Sequence, residues 1–407
     1  MEEIPGGVCA PRGFSAGGIR CGIKAGSRKR DLGLIYSERP CAAAAMFTTN
    51  RVQAASVLVS RERLAAGKIQ ALIANSGNAN ACTGEEGLAA ARRMADLAAE
   101  KLSLKPNNVA VASTGVIGVP LPIGAVEKGI DALVQSLAGD ETGHAAALEA
   151  IMTTDTRKKE GALAFELGGV PVRIGAMAKG SGMIHPNMAT MLCFITTDAA
   201  LSPHLLDLAL RRAVKRSFNR VTIDGDTSTN DMIILMANGA AGNKPITWDG
   251  PAYETFAEAL ELLCVKLARS MARDGEGASR LMTVTVSGAA DEDTAALLAK
   301  AVASSNLVKA ACFGADANWG RVLCALGYAG IEFDPGAVNI RFRSAAGEVS
   351  VCRGGASLPF SEEEAKRILS QEEIAILIDL GGPAGEASVW GCDLTYDYVK
   401  INGDYRS

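Results

Sequence analysis

The passage from Lys179 to Thr190 holds the residues that could most readily do chemistry. It reads Lys-Gly-Ser-Gly-Met-Ile-His-Pro-Asn-Met-Ala-Thr, so a cation, two hydroxyl groups and an imidazole lie in one short segment. Two plain alternatives to a catalytic role exist. The glycine-rich part could be an ordinary loop that enters a strand, or it could form a weak anion-binding nest of backbone N–H groups. The residue types alone leave all of these interpretations open.

Several common catalytic signatures are missing from the sequence, and this narrows the chemistry. There is no GxxxxGK[ST] loop for nucleotide phosphates, no GxGxxG and no HExxH metal helix. The histidines are His144, His185 and His204, so a Ser-His-Asp or Cys-His mechanism must take its base from one of them. We predict that His144 and His204 are surface residues on helices or at helix edges.

The hydrophobic periodicity of the chain alternates between that of helices and that of strands. This favours a mixed α/β fold for the elements that position these residues. Thr83 followed by Glu86 is a capping-box pattern, and apolar residues then recur at helical spacing as far as Leu102. This pattern predicts a helix that begins just after Thr83.

A second strand and helix follow. Residues 108–113 read as a short strand, and 123–137 read as a helix. The Thr114–Gly115 pair is therefore expected on a strand-to-helix loop. Residues 191–195 read as a buried strand, which would place Thr190 at the mouth of that strand.

The second half repeats this pattern. Helices are predicted to start at Ser202-Pro203 and at Ser361–Glu364 and to cover 256–271, and strands are predicted at 281–287, 338–343 and 373–380.

Composition excludes several classes of function. The chain has 407 residues and a formal charge of -4, so it lacks the electrostatic footprint of a nucleic-acid-binding protein. It shows no signal peptide and no apolar run of membrane-spanning length, and we expect a cytoplasmic protein with no membrane partner. The ten cysteines lie far apart without a CxxC, which predicts reduced, mostly buried thiols and no metal site.

From Lys179 to Leu192 the sequence resembles the self-processing segment of the bifunctional arginine-biosynthesis proteins, K-G-x-G-M-I-x-P-N-M-A-T-M-L. These are ornithine acetyltransferases with N-acetylglutamate synthase activity. Further blocks agree in the same order over essentially the whole chain: Ala10–Phe14, Asn75–Asn80, Ser113–Gly118, Met152–Thr156, Asp224–Asp231, Gly275–Ala278, Gly314–Arg321 and Tyr398–Asn402.

This resemblance implies a self-processing α/β fold of the amino-terminal-nucleophile type, with helices flanking β-sheets, similar to that of aminopeptidases with an amino-terminal serine. It implies cleavage between Ala189 and Thr190, which gives an α chain of 1–189 and a β chain of 190–407. The two chains are expected to interweave in one catalytic unit and to assemble as α2β2.

The resemblance also implies the catalytic groups. Thr190 would be the nucleophile, and its freed α-amino group, with an ordinary pKa of ~7.7 to 8.0, would accept the hydroxyl proton. Thr114 and Gly115 would stabilise the oxyanion of the tetrahedral intermediate. One residue thereby supplies both nucleophile and base, which explains how a chain poor in histidine could transfer an acyl group.

Substrate contacts carry over position by position. Lys179 could pair with the α-carboxylate of N2-acetylornithine and Glu276 with its side-chain ammonium, although a plain solvated turn is the alternative for Glu276. Thr154 could replace Thr153, because the two threonines are adjacent. The full set is Thr153, Lys179, Thr190, Glu276, Asn402 and the terminal Ser407.

The implied reaction is a ping-pong transfer of acetyl from N2-acetylornithine to glutamate through an acetyl-Thr190 ester. Acetyl-CoA could also load the threonine as a co-substrate, and no bound cofactor or metal is implied. Two rival hypotheses remain. One is a self-processing aminopeptidase of the same fold, and the other is an uncleaved, non-enzymatic assembly protein.

Overall fold

The computed structural model describes residues 1–65, 67–185 and 191–404. Its strands are β1 Glu2–Glu3, β2 Phe14–Ile19, β3 Leu32–Phe47, β4 Lys68–Asn78, β5 Val109–Val116, β6 Lys159–Leu167, β7 Val170–Lys179, β8 Leu192–Thr197, β9 Val221–Thr222, β10 Met232–Ala237, β11 Leu281–Ala289, β12 Asn339–Ser344, β13 Gly347–Arg353, β14 Ala356–Ser357, β15 Glu373–Asp379 and β16 Gly385–Cys392.

Helices are interspersed with these strands along the whole chain. They are α1 Ala55–Leu64, α2 Gly84–Leu102, α3 Ile123–Gln135, α4 Glu141–Ile151, α5 Pro203–Arg216, α6 Pro251–Arg273, α7 Glu292–Ser304, α8 Asn306–Phe313, α9 Trp319–Gly327, α10 Glu362–Leu369 and α11 Tyr396–Asp404. Within the described ranges no single helix is long and apolar enough to span a membrane, and only the bent pair α7–α8 would pass by length and composition.

The larger sheet interleaves strands from the two halves of the chain. Its order is β1-β6-β7-β8-β10-β3-β4-β5, and β2 also pairs with β3. The β8–β10 and β4–β5 pairs are parallel, whereas β7–β8 and β10–β3 are antiparallel. Strands β8 and β10, which follow residue 190, therefore lie between β7 and β3, which precede it.

The core of this sheet is centred on β10, whose six residues are all buried. Ile233 and Leu235 share a hydrophobic cluster with residues of α5 and α6. Met232, Ile234 and Met236 share another cluster with residues of α1 and α4. Because successive side chains of a strand point to opposite faces, the sheet lies between two helical layers. The predicted α/β class with helices flanking the sheet is confirmed.

The smaller sheet has the order β14-β13-β12-β15-β11-β16-β9. Along β11, Met282, Val284 and Val286 are fully buried, and they form a cluster with residues of α7, α8, α9 and α10. The intervening Thr283 and Thr285 are only partly buried. This alternation is the pattern of a sheet whose one face is packed against helices.

Most of the predicted elements are confirmed. Helices α2, α3, α5 and α10 begin where their sequence signals placed them. The hydroxyls of Ser202 and Ser361 accept the backbone N–H of Leu205 and Glu364 at 3.4 and 3.2 Å. The predicted helix 256–271 and the predicted strands of the second half lie within or overlap α6, β11, β12 and β15. All ten cysteines are free and seven are buried, as predicted.

Two local predictions were wrong. Thr83 precedes α2 but makes no capping hydrogen bond, because its hydroxyl donates to Asn80 Oδ1 at 2.9 Å instead. The strand predicted at 108–113 continues to Val116, so Thr114 and Gly115 lie at the end of β5 and not on a loop. The cause is the parallel pairing with β4, which extends the ladder beyond the hydrophobic run.

Helix α4 packs unusually close to β2, and glycine at position 18 permits this. A Cβ at Gly18 would lie 2.1 Å from the carbonyl oxygen of Ala146. The helix ends at Ile151, two residues before Thr153. The packing of α4 against the sheet therefore helps to fix the position of Thr153.

We predict that Gly18→Ala lowers the free energy of unfolding by about 1 to 3 kcal/mol, because the methyl group would displace α4 from the sheet. The matched control is Gly124→Ala, an exposed position of α3 with no atom within 4 Å of the added Cβ. That change should leave stability unchanged or raise it by up to about 1 kcal/mol. Urea unfolding of the variants and wild type measures both, and equal midpoints for Gly18→Ala and wild type would contradict the close packing.

Candidate active site

One cavity brings together six of the predicted site residues. It lies where β5 and β7 end, beside the turn that follows α6 and the helix α11. The residues that line it are Thr114, Gly115, Ile117, Thr153, Thr154, Lys179, Gly182, Met183, Ser228, Thr229, Asn230, Glu276 and Asn402. The other predicted site residues, Ala189, Thr190 and Ser407, lie outside the described residues.

The predicted oxyanion pair is held by a tight approach of two parallel strands. Thr114 and Gly115 are paired with Ser76 and Gly77 of β4. Gly115 has a φ of 135°, and a Cβ there would lie 2.4 Å from the carbonyl carbon of Gly77. Any other residue would therefore push the strands apart, so the packing of β4 and β5 alone requires glycine here.

Lys179, the last residue of β7, brings a buried cation to this pair. Its Nζ donates to Thr114 Oγ1 at 3.3 Å, and only 4 % of the residue is exposed. Burial lowers the pKa of Lys179, against the opposing effect of the carboxylate of Asp155. The positive charge of Lys179 consequently lies next to the hydroxyl that is predicted to stabilise an oxyanion.

A buried network of ion pairs lies next to the residues that line the cavity. Lys159 Nζ donates to Asp155 Oδ1 at 2.7 Å and to Asp274 Oδ2 at 2.5 Å, and these three side chains are 0 to 2 % exposed. The carboxylate of Asp274 also accepts the backbone N–H and the hydroxyl of Thr156. The sequence did not predict this network. Asp155 belongs to a family block, but nothing in the sequence distinguishes the buried Lys159 from its exposed neighbour Lys158.

Asp155 connects this network to the cavity wall. Its Oδ1 accepts the N–H of Gly180 at 2.7 Å and its Oδ2 accepts the N–H of Thr153 at 3.0 Å. Burial alone would raise the pKa of Asp155, but the charges of Lys179 and Lys159 outweigh it and hold the pKa well below its usual range. Since the pKa is lower in the folded state, this carboxylate stabilises the fold above the ordinary Asp pKa of ~3.9, and the stabilisation is lost as pH falls through the folded pKa.

The adjacent threonines differ in what their hydroxyls contact. Both line the cavity, but Thr154 Oγ1 lies 2.7 Å from Ser181 Oγ and is engaged in a hydrogen bond. Among the described residues no hydrogen-bond partner is seen for the hydroxyl of Thr153. The arrangement favours Thr153 as the one that could contact a substrate.

Glu276 is built into the wall of the cavity. Its backbone N–H donates to the carbonyl of Ser181 at 2.8 Å, and its Oε2 accepts Asn402 Nδ2 at 2.9 Å. The carboxylate lies over Gly182, where a Cβ would be 2.3 Å from Oε2. Glu276 does lie in a turn, but it is half-buried and lines the cavity. The contact also places α11, which carries Asn402, at the edge of the cavity.

None of the histidines lines the cavity. His144 was predicted at the surface, and this was wrong: it is 3 % exposed because Nδ1 accepts the N–H of Val8 at 3.3 Å and Nε2 pairs with Glu160. His204 is exposed, as predicted. His185 points to the hydroxyl of Thr222 on β9, and burial lowers its pKa. The described lining of the cavity therefore offers no imidazole as a base.

Residues 191 and 192, which follow Thr190, lie next to the end of β7. Lys179 is the register partner of Leu192, the first residue of β8. The N–H of Met191 donates to Asp231 Oδ1 at 3.0 Å, and the carbonyl of Met191 accepts the N–H of Met232. The residue that directly follows Thr190 is thus fixed beside the cavity wall.

The chain is similar to known proteins over nearly its whole length. The ArgJ family model matches residues 15–407. The chain is 54% identical to the arginine biosynthesis bifunctional protein ArgJ of Symbiobacterium thermophilum and 51% identical to that of Caldanaerobacter subterraneus subsp. tengcongensis, each over 100% of both chains. The crystal structure of the arginine biosynthesis bifunctional protein argJ from Bacillus halodurans is similar at 44% identity and a TM-score of 0.50, covering 52% of this chain and 98% of that one.

We predict that Lys159→Met lowers the free energy of unfolding by about 3 to 5 kcal/mol, because it removes the cation that pairs directly with two buried carboxylates. Lys158→Met removes a neighbouring exposed lysine and should change stability by about 0.5 kcal/mol or less. Urea unfolding of both variants tests this, and a Lys159→Met protein as stable as Lys158→Met would contradict the role of the network.

Proposed function

The chain belongs to the ArgJ family, and from this premise we propose that it transfers acetyl from N2-acetylornithine to glutamate in arginine biosynthesis, through an acetyl ester on Thr190. The supporting observation is the cavity itself. It gathers Thr114, Gly115, Lys179 and Glu276 near Met191, the residue that follows Thr190, and no histidine is among its described lining residues.

Self-cleavage supplies the missing base. Cutting between Ala189 and Thr190 releases an α-amino group on the carbon that carries the nucleophilic hydroxyl. With an ordinary pKa of ~7.7 to 8.0, a useful fraction of that amine is neutral near physiological pH. It can then accept the hydroxyl proton of Thr190 as the oxygen attacks. This explains why an acyl transferase can work in a cavity without imidazole.

The first half-reaction makes one ester bond and breaks one amide bond. Thr190 Oγ attacks the acetyl carbonyl, the amine of Thr190 takes the hydroxyl proton, and the negative oxygen faces Thr114 and Gly115. The nearby cation of Lys179 further stabilises that charge. The intermediate collapses as the leaving nitrogen receives the proton, so that free ornithine departs and acetyl-Thr190 remains.

The second half-reaction reverses these steps with another amine. The amino group of glutamate attacks the ester, its proton passes through the amine of Thr190 to the departing hydroxyl, and N-acetylglutamate leaves. Both substrates present a carboxylate, which Lys179 could hold, and the ammonium of the ornithine side chain could pair with Glu276. Thr153, Asn402 and Ser407 would add polar contacts.

The assembly and the range of acetyl donors belong to the same proposal. We propose chains of 1–189 and 190–407 that share one catalytic unit, a dimer of such pairs, and a cytoplasmic enzyme without a bound cofactor. The Bacillus halodurans chain supports the two-chain form, because nearly its full length corresponds to about half of this chain. Acetyl-CoA is proposed as a second donor for the same threonine.

We predict that purified wild-type protein contains a fragment that begins Thr-Met-Leu-Cys, whereas Thr190→Ala remains a single chain, because alanine lacks the attacking hydroxyl. Intact mass and amino-terminal sequencing measure this. Thr247→Ala, at an exposed threonine, should be cut like wild type. A wild-type chain that stays whole after incubation under native conditions would overturn the mechanism and favour the non-enzymatic assembly role.

We also predict that Glu276→Gln lowers kcat/KM for N2-acetylornithine by about 10- to 100-fold, since a hydrogen bond to a charged group contributes about 1.5 to 3 kcal/mol. Glu258→Gln, at an exposed position of α6, should keep wild-type kinetics. The assay follows ornithine release and acetylglutamate formation together. Release of amine from a peptide p-nitroanilide without acetyl transfer would support the aminopeptidase alternative instead.

A further inference from the structure

Two apolar side chains line a cavity whose described walls are otherwise polar. Among the described lining residues, Ile117 and Met183 have wholly apolar side chains, and the others are glycines or carry hydroxyl, amide, ammonium or carboxylate groups. Polar groups lose hydrogen bonds to water when an apolar group covers them. An apolar part of a ligand is therefore better placed against Ile117 or Met183 than against the rest of the wall.

Ile117 lies next to the proposed oxyanion pair. It directly follows β5, two residues after Gly115, so the two Cα atoms are at most about 7 Å apart. In the proposed reaction the acetyl oxygen faces Thr114 and Gly115, and the methyl group is bonded to the same carbon as that oxygen. The methyl group of a bound acetyl is therefore within reach of the Ile117 side chain.

Met183 belongs to a different part of the wall, next to Glu276. It follows Gly182, where a Cβ would lie 2.3 Å from Glu276 Oε2. The N–H of Met183 donates to Asp224 Oδ2 at 2.5 Å, which holds this backbone in place. In the proposed function Glu276 pairs with the ornithine ammonium. Met183 is thus placed to contact the methylene groups of ornithine, which leaves the acyl group to Ile117.

The backbone of Ile117 is held on both sides. The carbonyl of Val116 accepts the N–H of Ala79 at 2.9 Å. The N–H of Gly118 donates to the carbonyl of Ala81, also at 2.9 Å. The Ile117 side chain packs against the hydrophobic cluster that includes both alanines, and its β-branch restricts rotation about χ1. This part of the wall therefore resists movement away from a larger ligand.

The inference rests on the proposed function and specifies the acyl groups that the cavity accepts. We propose that Ile117 contacts the methyl group of the acyl donor and limits the transferred acyl chain to two carbons. Ile117 takes no part in the making of the ester bond or the breaking of the amide bond. A propionyl group has one more methylene, which would overlap Ile117 and displace the carbonyl from Thr114 and Gly115.

The test compares kcat/KM for N2-acetylornithine and N2-propionylornithine, with glutamate as the acceptor, in wild type and Ile117→Ala. One methylene in a hydrophobic pocket changes kcat/KM about 10- to 200-fold, so wild type should prefer acetyl by a factor in this range. Alanine removes three carbons from the wall, so this preference should fall at least about tenfold. An acetyl-to-propionyl ratio in Ile117→Ala equal to that of wild type would overturn the proposal.

Met183→Ala is the matched control, because it shortens the other apolar side chain of the same cavity. Its acetyl-to-propionyl ratio should equal that of wild type, even where kcat/KM falls for both donors. An equal fall of the ratio in both variants would indicate a general loosening of the cavity and would also overturn the proposal.

Ile117→Val covers the case in which Ile117→Ala does not fold. It removes one methyl group, at a small cost in stability. Its ratio should lie below that of wild type, and an unchanged ratio would count against the proposal in the same way.

Two chromogenic esters separate this inference from the proposed function. When p-nitrophenyl acetate or p-nitrophenyl propionate acylates Thr190, its ester bond breaks, a new ester forms on the threonine and p-nitrophenolate leaves. The leaving group is the same for both, so the ratio of the two rates depends on the acyl group alone. Thr190→Ala corrects for reaction elsewhere on the protein.

The outcomes of this assay differ for the two proposals. Selectivity that depends on Ile117, without acetyl transfer from ornithine to glutamate, would contradict the proposed function alone. Acetyl transfer with a selectivity that does not depend on Ile117 would contradict this inference alone. A wild-type protein that reacts with neither ester and transfers no acetyl would overturn both.

Discussion

The site depends on the ammonium of Lys159, which is enclosed between the carboxylates of Asp155 and Asp274. Each partner organises a different wall of the cavity: Asp155 binds the backbone before β6 and after β7, and Asp274 ends α6 just before Glu276. Removing one partner from a buried ion pair is strongly destabilising, so this cluster holds the segments that carry its members together. The positions of Thr153, Lys179 and Glu276 relative to each other follow from this single cluster more than from the loops that carry them.

The cavity also contains a buried cation, Lys179, whose pKa is lowered by burial. Lys179 is lodged against Thr114 at the end of β5, where glycine at 115 allows two parallel strands to approach closely. A low-dielectric setting makes the interaction of such a charge with a developing oxyanion stronger than it would be in water. The described cavity walls carry this charge and no imidazole, which is compatible with the proposed chemistry, in which the α-amino group of Thr190 is the base and the protein contributes electrostatic stabilisation.

The sequence predicted features that depend on local chemistry and missed those that depend on distant packing. Ser202 and Ser361 predict helix starts correctly, because each hydroxyl caps the helix by accepting a backbone N–H only three residues further along the chain. The surface prediction for His144 failed because its burial comes from the segment around Val8, more than a hundred residues away. The predicted strand ended too early, at residue 113, because pairing with β4 extends β5 to Val116. The sequence could not distinguish the buried Lys159 from the exposed Lys158, because only the fold determines which of them is buried. Family blocks recovered the cavity residues, since their roles were carried over by position and not by geometry.

The interleaving of β7, β8, β10 and β3 has a consequence for the order of folding and cleavage and for the stability of the cleaved protein. The proposed cut between Ala189 and Thr190 would convert one polypeptide into two whose strands alternate in a single sheet, so neither product would have a complete core of its own. Folding must then come before cutting, while the segments are still tethered. Once the tether is gone, reassembly after denaturation becomes a second-order encounter between incomplete chains, which depends on their concentration. The cleaved protein would persist because it unfolds slowly. Its stability would then be kinetic, set by the rate of unfolding more than by the equilibrium free energy of unfolding.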